Sequence, residues 1–255
     1  MNLISKSIIK ILRYFGYDLT KYDKDKKEFS PDFTEKDINI LKKVLPYTMT
    51  SYERIFSLIN AVEYIQNYNI TGSIVECGVW KGGSMMAVAE TLKRKSDNSR
   101  NLYLFDTFEG MPEPKEIDLS IFGMNANKEY EKSKNISTGG SQLYYAALDE
   151  VKLNFSKVGY DKDKVHFIKG KVEETIPKFA PDNIALLRLD TDWYDSTKHE
   201  LSHLFPRLAK GGVLIIDDYG HWEGARKAVD EYFKVNNIQI LLNRIDYTGR
   251  IGVKF

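Results

Sequence analysis

The feature that most limits what this chain can become is a repeated unit: a short apolar segment that stops at a glycine or an acid, followed by residues at helical spacing. "GSIVECG", "NLYLFD", "KVHFIKG", "IALLRLD" and "GGVLIIDD" are such segments, at 72–78, 101–106, 164–170, 184–190 and 211–218. Near-continuous apolar runs of this length, bounded by turn residues, are the pattern of strands buried on both faces. Helical spacing is predicted near "SYERIFSLINAVEYIQNY" (51–68), from Ser84 to Arg94, over "SQLYYAALDEVKLNF" (141–155) and over "EGARKAVDEYFKV" (223–235). Strands that alternate with helices imply a parallel sheet covered on both faces, because each parallel connection needs a crossover. The closing segments "IQILLN" (238–243) and "GRIGVKF" (249–255) are expected to be terminal strands, antiparallel at the sheet edge.

Composition narrows the function classes. A formal charge of +1 over 255 residues argues against a nucleic-acid binder that relies on a strong global field. Cys77 is the single cysteine, so no intrachain disulfide forms, and a reducing, cytoplasmic setting is expected. No run approaches the roughly 18 apolar residues of a membrane-spanning helix.

At the amino terminus, Ile4, Ile8, Ile11, Leu12 and Phe15 recur at helical spacing between Lys6, Lys10 and Arg13. No clean apolar centre with a small-residue cleavage site is present, so a signal peptide is rejected. The expectation is an amphipathic helix that packs on its own domain or a partner subunit, or rests on an anionic membrane surface as a peripheral contact. The charged "KYDKDKKEFSPDFTEKD" (21–37) then serves as a linker. Residues 1–45 are therefore expected to form a helical extension and linker, and 46–255 the main domain. Residues 110–144 have little apolar periodicity and are too long for a plain connection, which predicts a mobile lid or substrate loop.

"VECGVWKGGS" places Glu76, Gly78, Gly82 and Gly83 where the first strand turns into a helix. Glycines there admit a ligand close to the backbone, beside the exposed N–H groups of the helix start, although glycine also serves plain tight turns. The pattern is not Gly-x-Gly-x-x-Gly, and the next strand-end acid, Asp106, lies 28 positions past Gly78, against about 20 in dinucleotide sites. S-adenosylmethionine suits this arrangement better. It has no pyrophosphate to cradle, its amino group can meet Glu76, and its ribose can meet Asp106.

The stretches "YTMTSYERI", "GSIVECGVWKGGSM", "LYLFDTFEGMPEP", "LDTDWYDST" and "IIDDYGHWEGARKAVDEY" closely resemble the macrocin and mycinamicin O-methyltransferase family, which includes a novobiocin sugar methyltransferase. The resemblance spans about residues 45–235 with the motifs in order. It implies a class I S-adenosylmethionine-dependent methyltransferase fold: α/β, Rossmann-like, with a seven-stranded, mostly parallel sheet and an antiparallel edge strand. The expected cofactors are S-adenosylmethionine and Mg2+, and the acceptor is a sugar hydroxyl on a glycosylated small molecule or a surface-polysaccharide precursor. The membrane-facing reading of the amino terminus leans this choice toward the polysaccharide. A homo-oligomer is expected. Cofactor-binding residues are expected at Met49, Glu76, Gly78, Gly82, Ser84, Asp106 and Val172. The resemblance weakens over 115–145, so acceptor identity does not carry over.

Asp190, Asp217 and Asp218 follow the ends of two apolar segments that should be neighbouring strands, about 4.8 Å apart. Carboxylates so close repel unless a cation joins them or one protonates, and a divalent ion answers this. By motif position the family resemblance implies Asp190 as metal ligand and general base, with Asp217 and Asp218 as the other metal-binding carboxylates. Both members of that pair face one ion only if the strand has already ended. Asp192 and Asp195 are expected to form a turn and cap the next helix. His221 is either a second acid/base group or an ordinary loop histidine; His166, His199 and His203 are expected to be structural, and Trp80 and Trp193 to flank the site or pack in the core. Two other readings stay open: a metal-dependent glycosyltransferase built on Asp190-Thr191-Asp192, and a non-catalytic binding protein of the same fold.

Overall fold

The computed structural model describes residues 9–10, 12–14, 29–134 and 141–255, and the chain divides into two units, Met1–Thr34 and Glu35–Phe255. In the smaller unit residues 9–10 and 12–14 are helical. Ile4, Ile8, Ile11 and Phe15 of the expected amphipathic face lie outside the described residues. Among the described residues no helix is long and apolar enough to cross a membrane.

The larger unit is built on a seven-stranded sheet. Its strands are β1 (Ser73–Cys77), β2 (Leu102–Asp106), β3 (Val165–Lys169), β4 (Ile184–Leu189), β5 (Leu208–Ile216), β6 (Asn243–Arg244) and β7 (Arg250–Val253), in the order β3-β2-β1-β4-β5-β7-β6. Strands β1 to β5 pair in parallel, and β7 runs antiparallel to both β5 and β6. The central strands are the ones whose sequence is continuously apolar. All of β4 and all but the first residue of β1 are buried, as strands covered on both faces must be.

Helices α1 (Glu35–Val44), α2 (Tyr52–Asn67) and α3 (Gly83–Arg94) pack together beside the sheet. Arg94, at the carboxyl end of α3, reaches Asp37 on α1 at 2.7 Å and Glu63 on α2 at 2.8 Å. A cation there also suits the helix dipole. These contacts place α1 in the larger unit, which starts at Glu35, ahead of the boundary expected at 45–46. The remaining helices are α4 (Ala126–Ser133), α5 (Leu148–Ser156), the short α6 (Val172–Thr175), α7 (Tyr194–Leu204) and α8 (Glu223–Val235).

Three local expectations change. The helix predicted over 141–155 begins only at Leu148, because the preceding residues bond elsewhere: the Ser141 N–H donates to the Glu109 carbonyl and the Met111 N–H to the Leu143 carbonyl. The strand predicted over 238–243 pairs only at its end, in β6. Ile238, Ile240 and Leu242 spend their apolar alternation on packing against the core. The 110–144 stretch is not one open loop, since its described residues include α4 and several anchors. The Asp118 carboxylate accepts the N–H groups of Tyr194 at 2.9 Å and Lys115 at 2.8 Å, and Trp193 Nε1 donates to the Pro112 carbonyl at 3.0 Å.

Candidate active site

The strand order reverses between β1 and β4, and open α/β sheets bind ligands in the crevice outside the carboxyl ends of the strands at that point. The register aligns Cys77 with Leu189 and Leu189 with Ile216. Gly78, Asp190 and Asp217, one residue further on, therefore emerge side by side. Backbone bonds continue past the strands: Asp190 N–H donates to the Cys77 carbonyl at 2.8 Å and Asp217 N–H to that of Leu189 at 2.9 Å. A cleft of ≈330 Å3 opens here, and a smaller one of ≈50 Å3 adjoins it; Gly78, Asp106, Met111 and Asp190 line both.

Gly78 is required by the fold itself. Its φ is +83°, and a Cβ on it would lie 1.9 Å from the Asp190 carbonyl oxygen. Only glycine lets the ends of β1 and β4 approach this closely.

Of the residues expected to bind a cofactor, Met49, Gly78, Ser84 and Asp106 line the larger cleft and Val172 the smaller one. Gly82, in the left-handed conformation with φ 92°, caps α3 and lines neither. Asp106 organises the turn: Oδ2 accepts the N–H groups of Val79 at 2.6 Å and Trp80 at 3.0 Å, and Oδ1 that of Phe108 at 2.7 Å. The direct contact expected of Glu76 is not what the structure provides, because its side chain is sealed below the turn. Glu76 Oε1 accepts from Arg188 Nη1 at 2.7 Å, while Oε2 is buried without a hydrogen-bond partner among the described residues. Burial pushes this carboxyl up to about 7, against the pull of Arg188.

Arg188, near the carboxyl end of β4, divides the acids into two groups. Besides Glu76 it binds Asp190 Oδ2 at 2.7 Å through Nη1 and Asp217 Oδ1 at 2.6 Å through Nη2. The other Asp217 oxygen is taken by Arg54 of α2, whose Nε reaches Asp246 Oδ2 at 3.0 Å. Asp217 thus faces two arginines, and the expectation that it points at a shared cation with Asp218 is corrected. Both residues lie just past the end of β5, and the bend there leaves Asp217 with the arginines and Asp218 beside Asp190 and Asp192.

The other group is Asp190, Asp192 and Asp218, whose nearest carboxylate oxygens all lie within 4.8 Å of one another. Asp192 does form the expected turn, with φ 65°, but that turn swings its carboxylate into the cleft. Its N–H donates to Asp218 Oδ2 at 3.3 Å. Two like charges at such a separation repel by about 3.5 kcal/mol at an effective dielectric constant of about 20. Three together without a cation must therefore take up protons. Accordingly, burial first and neighbouring carboxylates second raise Asp190 and Asp218 well above the usual range, and burial lifts Asp192 to about 7.

His221 lines the cleft beside this triad, with Nδ1 3.1 Å from the Tyr247 hydroxyl. Burial, then the Arg54 charge, lower its pKa and favour the neutral ring. Trp222 and Phe122 flank it, at ring separations of 4.9 and 6.0 Å. Trp80 lines the cleft, whereas Trp193 is buried against Trp222. Asp195 pairs with Lys115 at the surface, in the first turn of α7. His166 stacks on Tyr103 and binds Asn101; His199 and His203 bind the Ile176 and His199 carbonyl groups. None of these three histidines lines either cleft.

Sequence reasoning passed over Arg188, Arg54 and Glu200. Arg188 carried a signal, being a lone cation inside the apolar run Ile184–Leu189, where a charge must find partners. Arg54 carried none, since an arginine near a helix start looks like an ordinary solvated residue.

Comparison with known proteins gives concordant matches. The family model described as Macrocin-O-methyltransferase (TylF) matches residues 10–252. The 8-demethyl-8-(2,3-dimethoxy-alpha-L-rhamnosyl)-tetracenomycin-C 4'-O-methyltransferase of Streptomyces olivaceus is 33% identical over 203 residues, covering 80% of this chain and 74% of that protein. The mycinamicin III 3''-O-methyltransferase of Micromonospora griseorubida is 31% identical over 203 residues, covering 80% of this chain and 76% of its own. The solved structure of the O-methyltransferase NovP superposes with a TM-score of 0.71 at 28% identity, covering 82% of each chain.

Proposed function

Because the chain belongs to the macrocin O-methyltransferase family, we propose that it transfers a methyl group from S-adenosylmethionine to a sugar hydroxyl of a glycosylated small molecule, using Mg2+ held by Asp190, Asp192 and Asp218. The observation that carries the metal is the triad: three carboxylates within 4.8 Å, two of them without an arginine partner, form an oxygen-rich cation site of the kind Mg2+ takes. The donor reading is supported by the paired cavities at the sheet's switch point, with Asp106 between them and Val172 beyond. Membership in a methyltransferase family sets aside the glycosyltransferase and non-catalytic readings. The small-molecule acceptor is favoured over the polysaccharide because one relative is named as the methyltransferase of a rhamnosyl-tetracenomycin and another as that of mycinamicin III.

S-adenosylmethionine, when bound, supplies a methyl group on a positively charged sulfur. Mg2+, when bound, supplies positive charge that lowers the proton affinity of a nearby hydroxyl. The protein's own work is orientation and proton removal. Arg188 holds Asp190 by Oδ2 and so aims its carboxylate into the cleft, where it serves as the base for the acceptor hydroxyl. His221, kept neutral, orients the acceptor through the ring nitrogen that Tyr247 does not engage. Trp222, Tyr144 and Tyr247 wall the cleft and restrict water around the reacting oxygen. Asp217 stays with Arg188 and Arg54 and keeps both arginines in place.

The test is transfer of labelled methyl from S-adenosylmethionine to a panel of free glycosides, with and without a chelator. The expected outcome is a methylated sugar whose formation stops on chelation and returns with added Mg2+. Full activity in chelator would exclude the metal role, and failure on every glycoside while the cofactor still binds would exclude the acceptor class.

A further inference from the structure

One buried acid lies just behind the triad and touches none of it. Glu200, on α7, is 0% exposed and lines neither cavity. Its Oε2 accepts from the Thr191 hydroxyl at 3.1 Å, while its buried Oε1 has no hydrogen-bond partner among the described residues. A sealed carboxyl with one oxygen unsatisfied costs free energy that a leucine at the same place would not. Helix packing alone therefore gives no reason for an acid here. Besides an interaction with the buried Cys77 thiol, its hydrogen bond goes to the middle residue of the Asp190-Thr191-Asp192 turn.

That turn needs holding. Its first residue is pinned to β1, since Asp190 N–H donates to the Cys77 carbonyl at 2.8 Å. Its last adopts the left-handed region at φ 65°, uncommon for aspartate, and its N–H reaches Asp218 Oδ2 at 3.3 Å. The middle residue has its carbonyl bonded to Trp193 N–H at 2.7 Å, and its side chain is anchored through Glu200. Rotation of Thr191 would turn both neighbouring carboxylates, because they share its two peptide units.

Resting on the metal reading above, we propose that Glu200 is a positioning residue: by holding the Thr191 hydroxyl it sets the spacing of Asp190 and Asp192 for a divalent cation. It acts through Thr191 and meets neither substrate nor cofactor. Burial keeps its carboxyl well above the usual range, so the neutral amide of glutamine is a close substitute that still offers a carbonyl oxygen to Thr191.

The experiment measures Mn2+ binding to the unliganded protein by electron paramagnetic resonance, with Mg2+ as competitor, alongside S-adenosylhomocysteine affinity by calorimetry. Thr191→Val and Glu200→Leu are each expected to weaken Mn2+ binding about tenfold while S-adenosylhomocysteine affinity stays within about twofold, and Glu200→Gln to bind Mn2+ nearly as the parent does. The double variant Thr191→Val/Glu200→Leu should be no worse than the weaker single one, because both break the same bond. A merely structural role would move both affinities together and would not be rescued by glutamine. The proposal is overturned if Thr191→Val binds Mn2+ as tightly as the parent, if the two losses add, or if glutamine is no better than leucine. Should Glu200→Leu fail to fold, Thr191→Val and Glu200→Gln decide the matter. Absence of Mn2+ binding to the parent protein would instead overturn the metal reading.

Discussion

Arg188 shows how much one side chain can decide at the residue scale. Glu76, Asp190 and Asp217 all touch it, and all but Asp190 are nearly inaccessible to water. Replacing it by methionine keeps the strand apolar but strands buried carboxylates without their cation. Arg188→Met is expected to cost ~3–5 kcal/mol, read from the midpoint of urea unfolding, which is the usual penalty for removing one partner of a buried pair. Asp190 sits at the other end of that contact and is the residue proposed above as base. Asp190→Asn is expected to abolish turnover while S-adenosylhomocysteine binds within about twofold of the parent, since the change alters one charge and leaves the cleft shape alone; loss of ligand binding in calorimetry would contradict its assignment as base. Glu76 adds a pH signature. Burial raises it from about 4.5 to about 7, so the folded protein holds the proton more tightly than the unfolded chain. Its favourable contribution is complete below the unfolded value and is lost as pH rises through the folded one. Thermal scans should show the parent losing more stability between about pH 4.5 and pH 7 than Glu76→Gln, which has no such proton to lose.

Among the elements, the connection after β2 is the one we propose meets the acceptor. Residues 110–144 have no periodicity to betray structure, yet Asp118 fastens the segment to the start of α7 by its bond with Tyr194 N–H. The fit is close: a Cβ on Gly224, in the first turn of α8, would lie 2.1 Å from Asp118 Oδ1. Asp118→Ala removes both carboxylate bonds and leaves a helix start without its acceptor. It is expected to cost ~1–2 kcal/mol and to speed limited proteolysis between residues 111 and 125, with a larger effect on acceptor KM than on donor KM. The edge of the sheet teaches a different lesson. Apolar alternation over 238–243 is real, but those side chains pack on the core while the backbone finds a partner only at Asn243–Arg244. Alternation reports which way side chains face; pairing depends on what lies alongside.

For the whole molecule, the order β3-β2-β1-β4-β5-β7-β6 collects residues from opposite ends of the chain into one cleft: Met49 and Arg54 before the first strand, Tyr247 and Thr248 just before the last. A ligand held from so many segments stabilises the fold as a unit. S-adenosylhomocysteine at about a hundredfold its Kd is expected to add about 2.7 kcal/mol of stability, seen as a rise in the urea midpoint with unchanged slope. By itself the sequence determined the parallel core, the glycine turn after β1, the strand-end acids and their likeness to a methyltransferase family, because burial on both faces and sharp turns restrict residue type locally. Only the tertiary structure decided how those acids are shared out: Glu76 and Asp217 to arginines, Asp192 and Asp218 to an acidic cluster in the cleft, and Asp190 to both. The partners of a charge are set by distances across the fold, such as that from Arg54 to Asp217, and no local pattern of residues records them.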